Sequence, residues 1–435
     1  MLIIGGGLAA VRTAAELRAN GFIGRLTVVA DEAHAPYDRP PLSKELLTRS
    51  ALVSLAGEGY GDLDELADEV LRPARALRVD AEHEGATVLV VGAAPDGDGS
   101  LPRPESEVPG LQGASPELGA RAISADVVVL ATGATPVVPR GLTGTTVLRT
   151  ADDAAVLRAE LAAEHFAPVV IIGAGWIGAE LASSLADAGR MVTVLETGPA
   201  PLGKQLGVRL GRLTRDWYAE AGVDLRTSTM VAAVEGRAGT RVVVLEDKVR
   251  LDPAVVIAAV GVRPATDLVA DSCLLDDTGA VIVYPTGMPV VGPRSLRVVG
   301  DAATVLLPSG ARIGGGHWDG ALHHPGAVAA GLMGAEIPPT PAASTFSTQF
   351  GREILTFGTP AESDSPGAHT VVREDGVGWT ALVIDAEGRL AGAMTVDHPR
   401  DAAPLRRALA GGRRPEVEAE ALADASTPLR SLLPR

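Results

Sequence analysis

Two short segments of the chain share one pattern, an apolar run followed at once by closely spaced glycines. The first is Leu2-Ile3-Ile4-Gly5-Gly6-Gly7 and the second is Val169-Val170-Ile171-Ile172-Gly173-Ala174-Gly175. Each apolar run predicts a buried parallel strand, and each glycine cluster predicts the tight turn that opens a helix. Such a turn lets the backbone approach a pyrophosphate, which rests on the helix N-terminus. Two of these turns in one chain indicate two bound dinucleotides.

Composition narrows the class of protein further. The chain has 435 residues, 46% of them hydrophobic, but no uninterrupted apolar run of the roughly 18 residues that a membrane-spanning helix needs. A net charge of −16 argues against nucleic acid and against an anionic membrane surface as partners. The single cysteine, Cys273, excludes an internal disulfide, and we expect no signal peptide ahead of the first strand. We therefore expect a cytoplasmic protein.

The order of predicted elements indicates three domains. Strands and helices alternate through both glycine turns, which predicts an α/β fold with two Rossmann-like domains. Beyond about residue 340, strand-like segments precede a helix near 402–410, which predicts an α+β domain. A Gly-, Pro- and Ser-rich stretch predicts an exposed loop over 92–122. The predicted domains are 1–137 with 264–338 for the first nucleotide, 138–263 for the second, and 339–435 at the C-terminus.

Acidic residues follow the strands that come after each turn. Glu196 ends such a strand, where a carboxylate binds the ribose hydroxyls of a nucleotide and repels a 2′-phosphate, which favours NADH over NADPH. In the first domain Asp31 and Glu32 occupy the corresponding place, and either can bind the ribose. Asp301 ends another buried strand, and a buried carboxylate must find donors, so a cofactor hydroxyl is expected there.

The segment Tyr37-Asp38-Arg39-Pro40-Pro41-Leu42-Ser43-Lys44 has two interpretations. It is either a proline-stiffened loop that leads into a helix, or a loop whose cations, Arg39 and Lys44, bind a pyrophosphate or a flavin ring. Three histidines, 317, 323 and 324, have no further ligand pattern around them, so we expect no metal site.

This segment resembles the corresponding one in the FAD- and NADH-dependent ferredoxin reductases of oxygenase systems, of the putidaredoxin reductase and biphenyl dioxygenase reductase type. These enzymes have a pyridine nucleotide-disulfide oxidoreductase-like fold without the redox cysteines. The resemblance covers nearly the whole chain, and its motifs follow one another in the same order as in the family. Its further motifs are Ala131-Thr132-Gly133-Ala134-Thr135-Pro136, the second glycine turn with Glu180, Pro201-Leu202-Gly203-Lys204, Val260-Gly261-Val262-Arg263-Pro264, Val299-Gly300-Asp301-Ala302, His317-Trp318-Asp319-Gly320-Ala321 and Phe346-Ser347-Thr348-Gln349-Phe350-Gly351.

The resemblance implies a glutathione-reductase-like architecture, with FAD and NADH as cofactors. Lys44 would pair with Glu180 near the flavin and the nicotinamide, and Trp318 would lie beside the flavin ring; these three are the candidate catalytic residues. The residues implied to bind FAD are Gly5, Gly7, Ala10, Asp31, Glu32, Arg39, Pro41, Lys44, Ala131, Thr132, Gly133, Asp301 and Trp318. Those implied to bind NADH are Gly173, Gly175, Gly178 and Glu196. Further candidate cofactor-binding residues are Ile177, Gly261, Gly300 and His317.

The absence of a cysteine pair indicates where the electrons go. Flavoproteins of this kind that reduce disulfides, peroxides or oxygen use a cysteine beside the flavin, whereas the equivalent turn here is Pro40-Pro41-Leu42-Ser43-Lys44. Electrons must therefore pass directly to an external acceptor. The resemblance implies that this acceptor is a [2Fe–2S] ferredoxin that serves a P450 or a Rieske oxygenase, and that the reductase is a monomer or homodimer.

Two departures from the family pattern leave alternatives open. Phe346-Ser347-Thr348-Gln349 replaces the usual Trp-Ser-Asp-Gln, and His323-His324-Pro325-Gly326 predicts a helix broken at the proline. A FAD-dependent oxidase or dehydrogenase acting on a small organic substrate is one alternative, and an NADH sensor is another. The net charge also disfavours an acidic ferredoxin unless a local basic patch exists. The candidates for that patch are Arg406, Arg407, Arg413 and Arg414.

Overall fold

The computed structural model describes residues 1–92, 120–164, 167–237 and 239–434. The chain divides into two compact units. Unit 1 comprises Met1–Asp38, Val53–Thr135 and Arg263–Thr340, and unit 2 comprises Arg39–Leu52, Pro136–Val262 and Pro341–Arg435. Two short strands, Ala134–Pro136 and Val262–Pro264, carry two of the crossings between the units.

A five-stranded parallel sheet forms the centre of unit 1. Its strand order is Leu296–Val298, Val128–Leu130, Leu2–Ile4, Thr27–Val29 and Glu69–Leu71. Side chains alternate between its two faces, so Ile3 packs with the helices Leu8–Ala19 and Trp318–Met333 while Leu2 and Ile4 pack on the opposite side. The near-continuous apolar runs of the sequence reflect this burial on both faces.

Two three-stranded sheets cover the second face of this sheet. One three-stranded sheet consists of Ala74–Glu82, Gly85–Gly92 and Arg121–Ala125, and Val88 and Val90 pack in the same core as Leu2. A second sheet is mixed: Val281–Val283 runs parallel to Ala303–Leu306, which pairs antiparallel with Arg312–Gly314. A single helical turn, Leu63–Leu66, completes the unit. The loop predicted over 92–122 lies almost wholly outside the described residues, and its two described ends belong to paired strands.

The expectation of a helix broken at Pro325 is wrong. Trp318–Met333 is one helix of 16 residues that contains the proline. Proline removes one helical hydrogen bond and costs about 3 kcal/mol in a helix interior. Here Pro325 and the following Ala327, Val328 and Ala329 are buried, the last two in the core shared with helix Leu8–Ala19. Burial of this apolar face offsets the lost bond, so tertiary packing overrides the local signal.

Unit 2 contains the second nucleotide fold. Its four-stranded parallel sheet has the order Asp224–Arg226, Val192–Leu195, Val169–Ile172 and Val255–Ala258. The helices around it are Ala151–Ala163, Trp176–Asp187, Gly203–Leu206, Val208–Gly211 and Arg215–Glu220. Thr150 and Asp153 form a capping box that fixes the start of the first of these helices. A three-stranded antiparallel sheet, Val231–Glu235, Val242–Leu245 and Arg250–Leu251, packs on one face.

The C-terminal part of unit 2 is a five-stranded antiparallel sheet with helices. The strand order is Ser344–Gln349, Arg352–Gly358, Leu390–Val396, Trp379–Ile384 and His369–Glu374. The helices are Ala402–Ala408, Ala419–Ala423 and Leu429–Leu432, and they bury Phe357 and Leu382 on one face. The α/β class with two Rossmann-like folds and a C-terminal α+β part is thus confirmed.

Within the described ranges, no helix combines the length and apolar character that crossing a bilayer requires.

A partly buried ion pair links the helix Ala151–Ala163 to the antiparallel strands of unit 2. Arg241, whose side chain is 6% exposed, donates two bonds of 3.0 Å to the two carboxylate oxygens of Glu160. Burial alone would raise the pKa of Glu160, but bonds from Arg241 and Thr146 hold that pKa below its usual value. The pair therefore stabilises the fold above the usual pKa of a glutamate and loses this effect as pH falls.

We predict that Glu160→Ala lowers the free energy of unfolding by about 3 kcal/mol at pH 7, because Arg241 is left buried without its counterion. Arg158→Ala on the same helix should change it by less than about 0.5 kcal/mol. Urea denaturation measures the free energy of unfolding of both variants. The difference between wild type and Glu160→Ala should shrink below about pH 4.3, and a difference that stays constant in acid contradicts the charge argument.

Candidate functional site

The first glycine turn joins strand Leu2–Ile4 to helix Leu8–Ala19. Gly5 has φ +126°, and a Cβ atom there would lie 2.2 Å from the carbonyl oxygen of Ala131, so only glycine fits. Gly7 precedes the helix and has open space where its side chain would be. Ala10 is fully buried against the sheet. The turn therefore leaves its backbone exposed at Gly7, directly before the first helical N–H groups.

The second turn repeats this geometry in unit 2. Gly173 has φ +103°, and a Cβ atom would lie 2.5 Å from the carbonyl oxygen of Ala259. Gly178 leaves even less space for a side chain, since a Cβ atom there would lie 2.0 Å from the carbonyl oxygen of Gly173. At Gly175 the nearest atom is the side-chain Nε2 of Gln205, at 3.2 Å. Gly173 and Gly178 are thus required by the backbone, whereas Gly175 faces a flexible side chain.

Both turns fit a pyrophosphate group. In the part of the chain that the structure describes, no side chain caps the helix that begins after Gly7 or the helix that begins after Gly175. The first N–H groups of each helix are therefore available to an anion, and the helix dipole favours negative charge there.

Glu196 lies beside the second turn. Its carboxylate accepts a backbone bond of 2.7 Å from Ala174 within the turn and another of 2.7 Å from Gly198. The side chain therefore holds the turn and the following loop together at the end of strand Val192–Leu195. Its contact with a ribose stays a prediction. Ile177, in the first turn of the helix, is 40% exposed, and Gly261 has φ +118° with open space around it.

The corresponding acids of unit 1 have different partners. Glu32 accepts a hydrogen bond from the hydroxyl of Tyr37. Asp31 is more exposed and lies 3.7 Å from the guanidinium of Arg75. Both follow strand Thr27–Val29, at the same edge of the sheet as the first glycine turn.

Two neighbouring strand ends of unit 1 carry further predicted residues. Ala131, Thr132 and Gly133 follow strand Val128–Leu130, and Gly300 and Asp301 follow strand Leu296–Val298. Because Val128–Leu130 lies between Leu2–Ile4 and Leu296–Val298 in one parallel sheet, the segments that follow these strands meet at one edge.

Backbone contacts hold these segments in place. Thr132 donates from its hydroxyl to the carbonyl oxygen of Ala265 at 2.6 Å, and Asp301 accepts from the backbone N–H of Gly316 at 3.1 Å. Gly300 has φ +66°. The sheet edge thus brings together most of the residues predicted to bind FAD.

Trp318 is fixed by a partner that the sequence analysis missed. Its indole Nε1 donates to a carboxylate oxygen of Asp38 at 2.8 Å, and its ring makes an edge contact with Tyr60, the centroids being 5.7 Å apart. His317 immediately precedes the helix, and burial lowers the pKa of its imidazole despite the nearby carboxylates of Asp301 and Asp319. We therefore expect a neutral His317 at pH 7.

Lys44 and Glu180 meet in unit 2. Lys44 ends the short helix Pro41–Lys44, and its ammonium Nζ lies 2.5 Å from Oε1 of Glu180, whose side chain is 4% exposed. The same carboxylate accepts bonds from Ser43 and Ser347. Arg39, just before this helix, donates to the carbonyl oxygen of Arg149 at 2.7 Å. The two serines were not predicted as site residues.

The residues that the structure describes contain no group of three or more His, Cys, Asp or Glu side chains that could hold a metal ion. Cys273, the one cysteine of the sequence, is half-buried, and burial raises the pKa of its thiol. A thiol in this state is a poor nucleophile at pH 7.

We predict that Gly175→Ala folds normally but binds NADH about tenfold more weakly, because the added methyl displaces only the Gln205 amide yet blocks the close approach of a phosphate. Gly178→Ala should instead lower stability by about 2 kcal/mol, because its methyl overlaps a backbone oxygen. Thermal unfolding and calorimetric titration with NADH separate the two. Wild-type affinity in Gly175→Ala contradicts a nucleotide site at this turn.

Two protein-family models match regions that contain most of the site residues. A family model described as pyridine nucleotide-disulphide oxidoreductase matches residues 1–309, and one described as reductase C-terminal matches residues 345–433. Both glycine turns lie within the first match, and Ser347 lies within the second.

Curated relatives match over almost their whole length. The chain is 31% identical to the ferredoxin reductase component of a chlorobenzene dioxygenase from Cupriavidus sp. (strain PS12) and 28% identical to the ferredoxin–NAD(+) reductase subunit of the benzene 1,2-dioxygenase system from Pseudomonas putida. Both alignments cover 99% of this chain and 97% of the relative.

Among solved structures, the covalent complex of putidaredoxin reductase with putidaredoxin is similar, with a TM-score of 0.79 and 25% identity over 99% of this chain and 97% of that one. The match of the first family model to well over half of the sequence, together with these relatives, shows that the chain belongs to the pyridine nucleotide-disulphide oxidoreductase family.

Proposed function

We propose that the protein is an NADH-dependent ferredoxin reductase that contains FAD and supplies single electrons to a [2Fe–2S] ferredoxin of an oxygenase system. One observation carries this proposal: the relatives named as ferredoxin reductases align with 99% of the chain, through both nucleotide turns and the C-terminal sheet. A reducing, cytoplasmic setting is supported by the single cysteine.

Unit 1 would hold FAD. Gly5 and Gly7 let the pyrophosphate approach the helix N-terminus, while Ala131–Gly133 and Gly300–Asp301 provide backbone and carboxylate contacts along the same sheet edge. Trp318, fixed by Asp38, would lie beside the ring. When bound, FAD accepts the hydride of NADH as an electron pair and releases the electrons one at a time.

Unit 2 would hold NADH. Gly175 and the first N–H groups of helix Trp176–Asp187 would bind the pyrophosphate, and Glu196 would bind the adenosine ribose. Hydride transfer itself needs no proton donor, so the protein's part is to align the two rings and exclude other reactions.

Lys44 supplies the fixed positive charge of the site. Its ion pair with Glu180 holds the ammonium at one place, and a cation near a ring that gains electrons stabilises the added negative charge. The contact of Lys44 and Arg39 with the cofactor stays a prediction.

The electron acceptor must be external, because a chain with one cysteine has no internal disulfide to reduce. Three of the predicted docking cations have the following positions: Arg414 pairs with Glu362, Arg406 lies over the ring of Phe357, and Arg407 is exposed on helix Ala402–Ala408. The continuous helix through Pro325 removes one of the two reasons for an oxidase acting on an organic substrate.

The direct test is anaerobic. NADH should bleach the flavin of the purified protein, and cytochrome c reduction should depend on an added [2Fe–2S] ferredoxin. NADPH in place of NADH is the control for the nucleotide. Failure of NADH to bleach the flavin contradicts the proposal, as does cytochrome reduction of equal rate without ferredoxin.

We predict that Glu196→Ala raises the KM for NADH about tenfold more than the KM for NADPH, since both nucleotides lose the support of the turn but only NADH loses a charged acceptor for its ribose hydroxyls. Glu246→Ala removes an exposed carboxylate elsewhere in unit 2 and serves as the control for net charge. Steady-state kinetics with both nucleotides measures the ratio. Equal changes for NADH and NADPH would show that Glu196 does not bind the ribose.

A further inference from the structure

The buried carboxylate of Glu180 receives three side-chain donors. Lys44 Nζ lies 2.5 Å and Ser347 Oγ 2.6 Å from Oε1, and Ser43 Oγ lies 2.5 Å from Oε2. Lys44 and Ser43 come from one short helix, whereas Ser347 comes from strand Ser344–Gln349 of the C-terminal sheet. The carboxylate thus joins an element near the N-terminus of the chain to one near its C-terminus.

The hydroxyl of Ser347 is itself oriented. Gln349 donates from its Nε2 to Ser347 Oγ at 3.0 Å, and both side chains are buried. An amide nitrogen only donates, so the hydroxyl must direct its own proton elsewhere, and Glu180 is the acceptor within reach. A hydrogen bond from a hydroxyl to a carboxylate inside a protein is stronger than one between neutral groups. The C-terminal strand therefore fixes the direction of the Glu180 carboxylate.

The position of Lys44 depends on that carboxylate. A lysine ammonium sits on a flexible stem with four carbons and keeps one position only when its partner is fixed. Lys44 Nζ also lies 5.0 Å from the ring centroid of Phe346, the residue before Ser347. Two successive residues of the same strand thus act on one ion pair, one through the anion and one through the cation.

We propose that Ser347 is a positioning residue for the redox site: it holds Glu180, and Glu180 holds the Lys44 ammonium where it promotes flavin reduction by NADH. This inference rests on the proposed function. It gives the C-terminal domain a part in hydride transfer itself, in addition to its part in the fold.

The test compares Ser347→Ala with Thr348→Ala in the FAD-loaded protein. Thr348 is the next residue of the strand, with an exposed side chain, so its variant removes an equal hydroxyl from the opposite face. Anaerobic stopped-flow mixing with NADH gives the limiting rate of flavin reduction and the dissociation constant of NADH. We expect Ser347→Ala to lower the rate about tenfold with less than about a twofold change in the dissociation constant, and Thr348→Ala to match wild type.

A double-mutant cycle separates positioning from general damage. If Ser347 acts through Glu180, Ser347→Ala should have little further effect in a Glu180→Gln background. An equal fall in both backgrounds, or a wild-type rate in Ser347→Ala, overturns the inference. Should the alanine variant lose its flavin, Ser347→Cys, which keeps a weak donor, is compared in the same cycle and should give an intermediate rate.

The outcomes also separate this inference from the proposed function. Wild-type protein whose flavin is not reduced by NADH contradicts both. Rapid reduction of the wild type together with an unaffected Ser347→Ala contradicts the positioning role alone.

Discussion

Both nucleotide folds depend on the same backbone contact, a glycine pressed against the carbonyl of a neighbouring parallel strand. Gly5 meets Ala131 in unit 1, and Gly173 meets Ala259 in unit 2, at distances that leave no room for a Cβ atom. This contact sets the angle at which the chain leaves the strand and enters the helix. The uncapped helix N-terminus then points to the edge of the sheet, where the other cofactor-binding segments end.

The two turns differ in one respect that has a structural consequence. Gly178 approaches the carbonyl of Gly173 so closely that no side chain fits, whereas the corresponding place in the first turn accepts the methyl group of Ala10. The helix Trp176–Asp187 therefore packs directly against the backbone of the second glycine turn. Its next turn carries Glu180, which reaches Lys44, Ser43 and Ser347 from that fixed base. The tightly packed glycine and the ion-paired carboxylate thus lie two residues apart on one helix.

Local sequence signals predicted the regular elements well wherever adjacent residues determine the backbone. The strands before the two glycine turns lie where the apolar runs place them, and a helix follows each turn as predicted. The prediction for Pro325 was wrong because burial of the helix face outweighs one missing hydrogen bond. Strand Ser344–Gln349 was missed as well, since its alternation of polar residues gives little hydrophobic signal.

The sequence by itself determined the two glycine turns, the acid after each following strand, the lack of a cysteine pair and, through resemblance, the family and its cofactors. The turns and the acids are encoded by residues that are neighbours in the sequence, because backbone conformation is a local property. Only the tertiary structure decided which side chains fix the site, such as Asp38 on Trp318 and Ser347 on Glu180. Those partners are 280 and 167 residues apart, and no local pattern specifies a contact created by packing distant strands and helices together.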